Sequence, residues 1–111
     1  MAVLTVQAVT RAGLNLTDAL VAASAGGDSF ANNGLEVLAV VNAGGSSVTV
    51  TLPYVATADG QTITSRTVVV GAGKTALIGP FPQALYNDAN NRVAVTYSGV
   101  TSVSVAALRL A

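Results

Sequence analysis

The chain has 111 residues with no histidine, cysteine or tryptophan, and five basic residues balance five acidic ones to a net charge of zero. Only 9% of residues are charged, and they are scattered singly. That excludes the clustered Lys/Arg surface on which nucleic-acid and anionic-membrane binding depend. The missing histidine and cysteine also remove the usual bases, nucleophiles and soft metal ligands. In contrast, 51% of residues are hydrophobic. A single small domain buries only about 60–70% of its unfolded surface, so part of this apolar surface is expected to lie against identical subunits or a larger scaffold.

Along the chain, the segment Met1–Gln7 has neither a basic start nor a continuous apolar run, and does not read as a signal peptide. Thr17–Ala25 is ambiguous. Thr17 could cap a short helix through Asp18–Ala23, but Leu20 and Val21 could equally form a strand, and the reading leans to irregular or strand. Asn33-Gly34 is a turn before Glu36–Asn42, which is apolar on both faces and suits a central strand or one covered by a neighbour. Asn42-Ala43-Gly44-Gly45-Ser46 is expected to close a short hairpin onto Ser47–Leu52, where Val48, Val50 and Leu52 alternate with Ser47, Thr49 and Thr51. Val37 to Ala58 carries no charge before Asp59, but its glycines, Asn42, threonines and Pro53 make it two strands and a turn rather than a membrane helix. Asp59-Gly60 begins another turn.

Ile63–Val70 and Val103–Leu110 each shift the parity of their apolar residues midway, which predicts a bulge or a strand that bends from one sheet to another. Val70-Gly71-Ala72-Gly73-Lys74 links the first of these to Thr75–Ile78. Pro80 and Pro82 cannot donate to a ladder, so Gly79-Pro80-Phe81-Pro82 is expected at a strand exit or sheet edge. Asn87–Asn91 has turn chemistry. Val93, Val95 and Tyr97 then alternate against Ala94, Thr96 and Ser98. The count of roughly eight short strands predicts an all-β, single-domain antiparallel β-sandwich, jelly-roll-like, over residues 1–111. Residues 1–10 would serve as an interface arm or edge strand.

No motif carries chemistry. Gly73-Lys74-Thr75 resembles the end of a phosphate-binding loop, but Val68 stands where the first glycine is required and no long helix can follow. Asn87, Asp88 and Asn90 lack the glycine and terminal glutamate of a calcium loop. Serines and threonines are many, with no histidine to act as base, and Lys74 sits in an expected exposed turn. Asn15-Leu16-Thr17 matches a glycosylation sequon without a secretory signal beside it. The aromatics Phe30, Tyr54, Phe81, Tyr86 and Tyr97 could include a sugar-stacking platform or simply fill a core. No catalytic, cofactor-binding or metal-ligating residue is nominated, and the chain is not expected to be an enzyme.

Several stretches carry a resemblance. In order they are Gly26-Gly27-Asp28-Ser29-Phe30, Asn33-Gly34, Leu38-Ala39-Val40-Val41-Asn42 and Ser47-Val48-Thr49-Val50. Ile78-Gly79-Pro80-Phe81-Pro82, Leu85-Tyr86-Asn87-Asp88 and Val93-Ala94-Val95-Thr96-Tyr97 follow. From about Arg11 onward the set resembles the small β-sandwich capsid decoration, or cement, proteins of tailed phages and prophages, encoded near the major capsid protein. The resemblance implies a non-enzymatic virion protein on the outer capsid surface, bound to the lattice of the major capsid protein and assembled with itself, a homotrimer being favoured. No cofactor, nucleic acid or membrane is expected. Because terminal arms and Pro-flanked aromatics often serve interfaces, the expected contact residues are Val3, Leu4, Val6, Phe81, Leu85, Tyr86 and Asn87. A sugar- or receptor-binding module and a self-assembling structural protein are the alternatives.

Overall fold

The computed structural model describes residues 2–62 and 64–110. Two sheets pack face to face. The first runs β1 (Ala2–Leu4), β4 (Asp28–Ala31), β11 (Arg92–Tyr97), β6 (Val48–Leu52), β9 (Arg66–Val70), in that spatial order. The second runs β10 (Thr75–Ile78), β5 (Glu36–Asn42), β12 (Val103–Leu110), β2 (Val6–Val9), with β3 (Val21–Ala22) also paired to β12. A separate hairpin joins β7 (Thr57–Ala58) to β8 (Gln61–Thr62). Two one-turn helices complete the chain, α1 (Leu16–Ala19) and α2 (Gln83–Tyr86). Neither is long and apolar enough to cross a membrane. The expected all-β sandwich is the fold.

Alternation builds the core. Val48, Val50 and Leu52 of β6 are buried and their neighbours Thr49 and Thr51 are not. Val93 and Val95 of β11 face the same interior, where Phe30, Leu38, Val40 and Val105 are fully enclosed. Asp59 and Gly60 take φ of 51° and 75°, the left-handed pair that a two-residue hairpin turn between β7 and β8 requires.

Four expectations are corrected. Asn42–Ser46 does not close a hairpin, because β5 and β6 belong to different sheets. The segment is a crossover instead, steadied by the Asn42 amide donating to Ser46 O (2.8 Å) and Val70 O (3.1 Å). Val103–Leu110 does not bend. It pairs with β5 in unbroken register from Val103↔Asn42 to Arg109↔Glu36, so Val103, Val105 and Ala107 face inward while Leu108 and Leu110 face out. The strands are not all antiparallel, since β1 pairs parallel with β4 and β2 parallel with β12. Thr17 is not a cap: α1 begins after Asn15 and ends at Ala19, well short of Ala23, and β3 follows over Val21–Ala22, so the lean to irregular or strand holds only from Leu20 onward. The parity shift expected at Ile63 lies outside the described residues.

The N-terminal segment serves both sheets. It leaves the first at Leu4 and enters the second at Val6, with Thr5 at the crossing. It therefore forms the edge of the first sheet on one flank and shares that edge of the second with β3, while β9 and β10 form the edges on the opposite flank.

Candidate functional site

At the β9–β10 flank the sheets part around a cleft of about 480 Å³, whose lining includes Tyr54, Arg66, Leu77, Pro80, Phe81 and Tyr86. Sequence dictates the opening. Pro82 directly precedes α2, a single turn that ends at Asn87. The returning chain is locked to β4 by an amide pair: Asn32 Nδ2 donates to Asn87 Oδ1 (2.7 Å) and to Phe81 O (2.9 Å), and Asn87 Nδ2 donates back to Asn32 O (2.8 Å).

An aromatic series runs from the core to this cleft. Phe30 and Phe81 have ring centroids 5.6 Å apart, Phe81 meets Tyr86 edge-on at 5.3 Å, and Tyr86 lies 4.9 Å from Tyr54. Arg66 stands at its outer end, on the inward parity of β9 opposite Leu52. The Tyr54 phenol is held below its ordinary pKa, first by hydrogen bonding with Tyr86 and next with Arg66. Burial is the main cause that pushes Tyr86 up, and hydrogen bonding to the two phenols raises Arg66. Arg66 makes no salt bridge among the described residues, where Arg109 and the buried Glu36 form an ion pair at 3.6 Å. The cleft thus combines a cation, two phenols and an apolar floor, which suits an anionic or hydroxyl-rich group carried on an apolar body.

Around the corner is a second surface. Register places Leu77 beside Ala39 and Ala39 beside Ala106, and Val37 beside Leu108, all on the outer face of the second sheet. Leu77 is 68% and Leu110 74% exposed, and with Val9, Val37 and Leu108 they line a shallow apolar depression. Leu77 belongs to both the cleft and this face.

The seven residues expected from sequence divide between the two flanks. Phe81, Leu85 and Tyr86 come together in the β9–β10 cleft. Phe81 and Tyr86 are buried there, so Leu85 alone of the three presents substantial surface. Asn87 is spent on the amide clamp. Val3 is exposed on β1 and Leu4 is buried in the core, both beside a cleft on the opposite flank. Val6 is half-buried on β2. Sequence reasoning named Tyr54 only among the aromatics of a sugar-stacking platform, and it did not select Arg66, Leu77, Leu108 or Leu110. The signal for the last two was present, because their parity is out of phase with Val103 and Val105, and an outward-facing leucine explains that as well as a bend does.

Comparison with protein-family models, with curated proteins and with solved structures gives no match.

Proposed function

We propose that this protein is a capsid decoration protein that binds the outside of a phage head lattice, as a homotrimer, and stabilises it by bridging coat subunits. The observation that carries this reading is the apolar outer face of Val9, Val37, Leu77, Leu108 and Leu110 beside two sheet edges free of charge over Thr67–Val70 and Thr75–Ile78. Exposed apolar faces rimmed by polar residues mark protein contacts, and an uncharged edge strand is a template for pairing with another chain. The resemblance to cement proteins adds the identity of the partner. The mechanism is mass action: contacts made only in the assembled shell favour that state. Each buried Å² contributes about 25 cal/mol, and an extended coat-protein segment added to β9 or β10 supplies direction. The test adds the purified protein to bare shells. Saturable binding at a fixed ratio per coat subunit, with a raised bursting temperature, supports the reading, and a folded protein that stays in solution refutes it.

The Tyr54–Tyr86–Arg66 constellation favours a second reading, a sugar- or receptor-binding module on a tail or cell surface. A glycan array decides it: binding to a defined sugar that is lost on Tyr54→Ala supports this reading and displaces the first.

A further inference from the structure

A second site lies on the flank opposite the aromatic cleft. Asp28 occupies the first position of β4, in register with Ala2 and Val95 and turned into the space between the sheets. It is fully buried. Its two donors converge on one oxygen: the Tyr97 hydroxyl (2.7 Å) and the Ser24 N–H (3.2 Å) both bond Oδ2. Oδ1 has no hydrogen-bond partner among the described residues. An unpaired buried carboxyl oxygen is costly, so a fold that retains one calls for an explanation.

Asp28 also lines a cleft of about 310 Å³ that opens between β1 and β3, with walls of Leu4, Val21, Ala22, Ala106 and Ala107. Five of its lining residues are alanines (Ala2, Ala19, Ala22, Ala106 and Ala107), and Thr5 and Gln7 are the other polar side chains beside Asp28. No other acid or base among the described residues lines it.

The ligand class follows by elimination. An anion brings further acceptors to a place where Oδ1 lacks a donor. A divalent metal needs several oxygen ligands, and no group of three acidic, His or Cys side chains that could hold one occurs among the described residues. An apolar molecule with no donor would leave Oδ1 unsatisfied. A guanidinium binds best as a fork on both carboxyl oxygens, but Oδ2 already carries two donors. The remaining fit is a compact cation with several donors on a slim aliphatic stem. The alanine walls accept the stem, and Oδ1 accepts one N–H.

We propose that this cleft binds a primary alkylammonium group at Asp28, either the side chain of a lysine presented by another protein or a free alkylamine. The site is separate from the surfaces assigned above to shell binding.

The test is a titration of the full chain followed by amide chemical shifts. The probes are n-butylammonium, Nα-acetyl-lysine methylamide, the Nε-acetylated form of the latter, and n-butanol. Saturable shifts at Ala22, Asp28 and Ala106 with the lysine derivative, absent with its Nε-acetylated form, assign a protein lysine. The same shifts with n-butylammonium alone assign a free amine. No saturation with either amine, or equal shifts with n-butanol, overturns the proposal. Asp28→Asn should weaken binding about tenfold, the loss expected for a hydrogen bond to a charged group. Should that variant not fold, Ala22→Leu blocks the mouth from an exposed edge strand and leaves the carboxyl intact. Undiminished binding by Ala22→Leu overturns the proposal too.

Discussion

The Tyr97 hydroxyl donates to Asp28 Oδ2 at 2.7 Å, one diagonal step apart on the inner face of adjacent strands β11 and β4. The bond ties the turn at Ser24–Gly27 to the centre of the first sheet. It also sets the acid–base behaviour of the phenol. Burial first, and then the hydrogen bond to Asp28, raise Tyr97 well above the ordinary value of 10.0.

Tyr97→Phe should therefore have two effects. At neutral pH it removes a donor from a buried carboxyl and should destabilise the fold by about 1–3 kcal/mol. At alkaline pH the sign works in the opposite sense. The unfolded phenol releases its proton near pH 10.0 while the folded one retains it, so the contribution is whole below that value and fades as pH rises above it. Urea midpoints measured at neutral pH and at several alkaline values should show the gap between wild type and variant narrowing above pH 10.0. A constant gap would contradict the assignment.

Asn32 and Asn87 exchange hydrogen bonds in both directions and also capture Phe81 O. Asn32→Ala leaves buried acceptors without donors on a segment that carries Phe81 and Tyr86. A loss of about 2–4 kcal/mol is expected, with the near-ultraviolet signal of Tyr54 and Tyr86 changing before the far-ultraviolet strand signal. Coincident loss of both signals would show that the cleft wall does not open as a unit.

The sandwich was legible because period-two alternation in β6 and β11 permits one burial pattern, and that pattern is the one observed. The crossings between sheets were not. A loop such as Asn42–Ser46 has the same glycine-rich composition whether it turns within a sheet or leaps to the other, and the distinction rests on long-range partners such as Val70 O for the Asn42 amide. The candidate site was half legible. Phe81, Leu85 and Tyr86 stand close in sequence beside two prolines, whereas Arg66 and Tyr54 reach the same cleft from strands and loops that no local pattern links. Helix α2 gave little warning, since a single turn lies below the length at which periodicity can be read.

Gly27 precedes Asp28 with φ at +92°, and a Cβ there would lie 2.7 Å from Val95 O. Backbone strain and collision with a strand carbonyl add, so Gly27→Ala should cost about 2–4 kcal/mol. Gly45 offers the control, because a Cβ there meets nothing within 4 Å and its φ is not positive. Gly45→Ala should be neutral or stabilise by up to about 1 kcal/mol by reducing unfolded-state freedom. Thermal melts of the two variants, compared in the same buffer, check the contrast, and similar midpoints would contradict it.

The outer-face leucines separate stability from assembly. Leu77 and Leu110 are 68% and 74% exposed, so replacing them removes little buried area from the folded chain. Leu77→Lys and Leu110→Glu should each change stability by no more than about 0.5 kcal/mol. If this face is covered in the assembled state, each variant instead buries an unpaired charge there, a cost of several kcal/mol. A lysine at position 77 additionally guards the β10 edge against strand addition. The expected outcome is an unchanged melting temperature together with loss of self-association in sedimentation, and a sharply reduced occupancy on bare shells. Full occupancy by both variants would mean that the contact surface lies elsewhere, and the β9–β10 cleft around Arg66 would then be the next surface to alter.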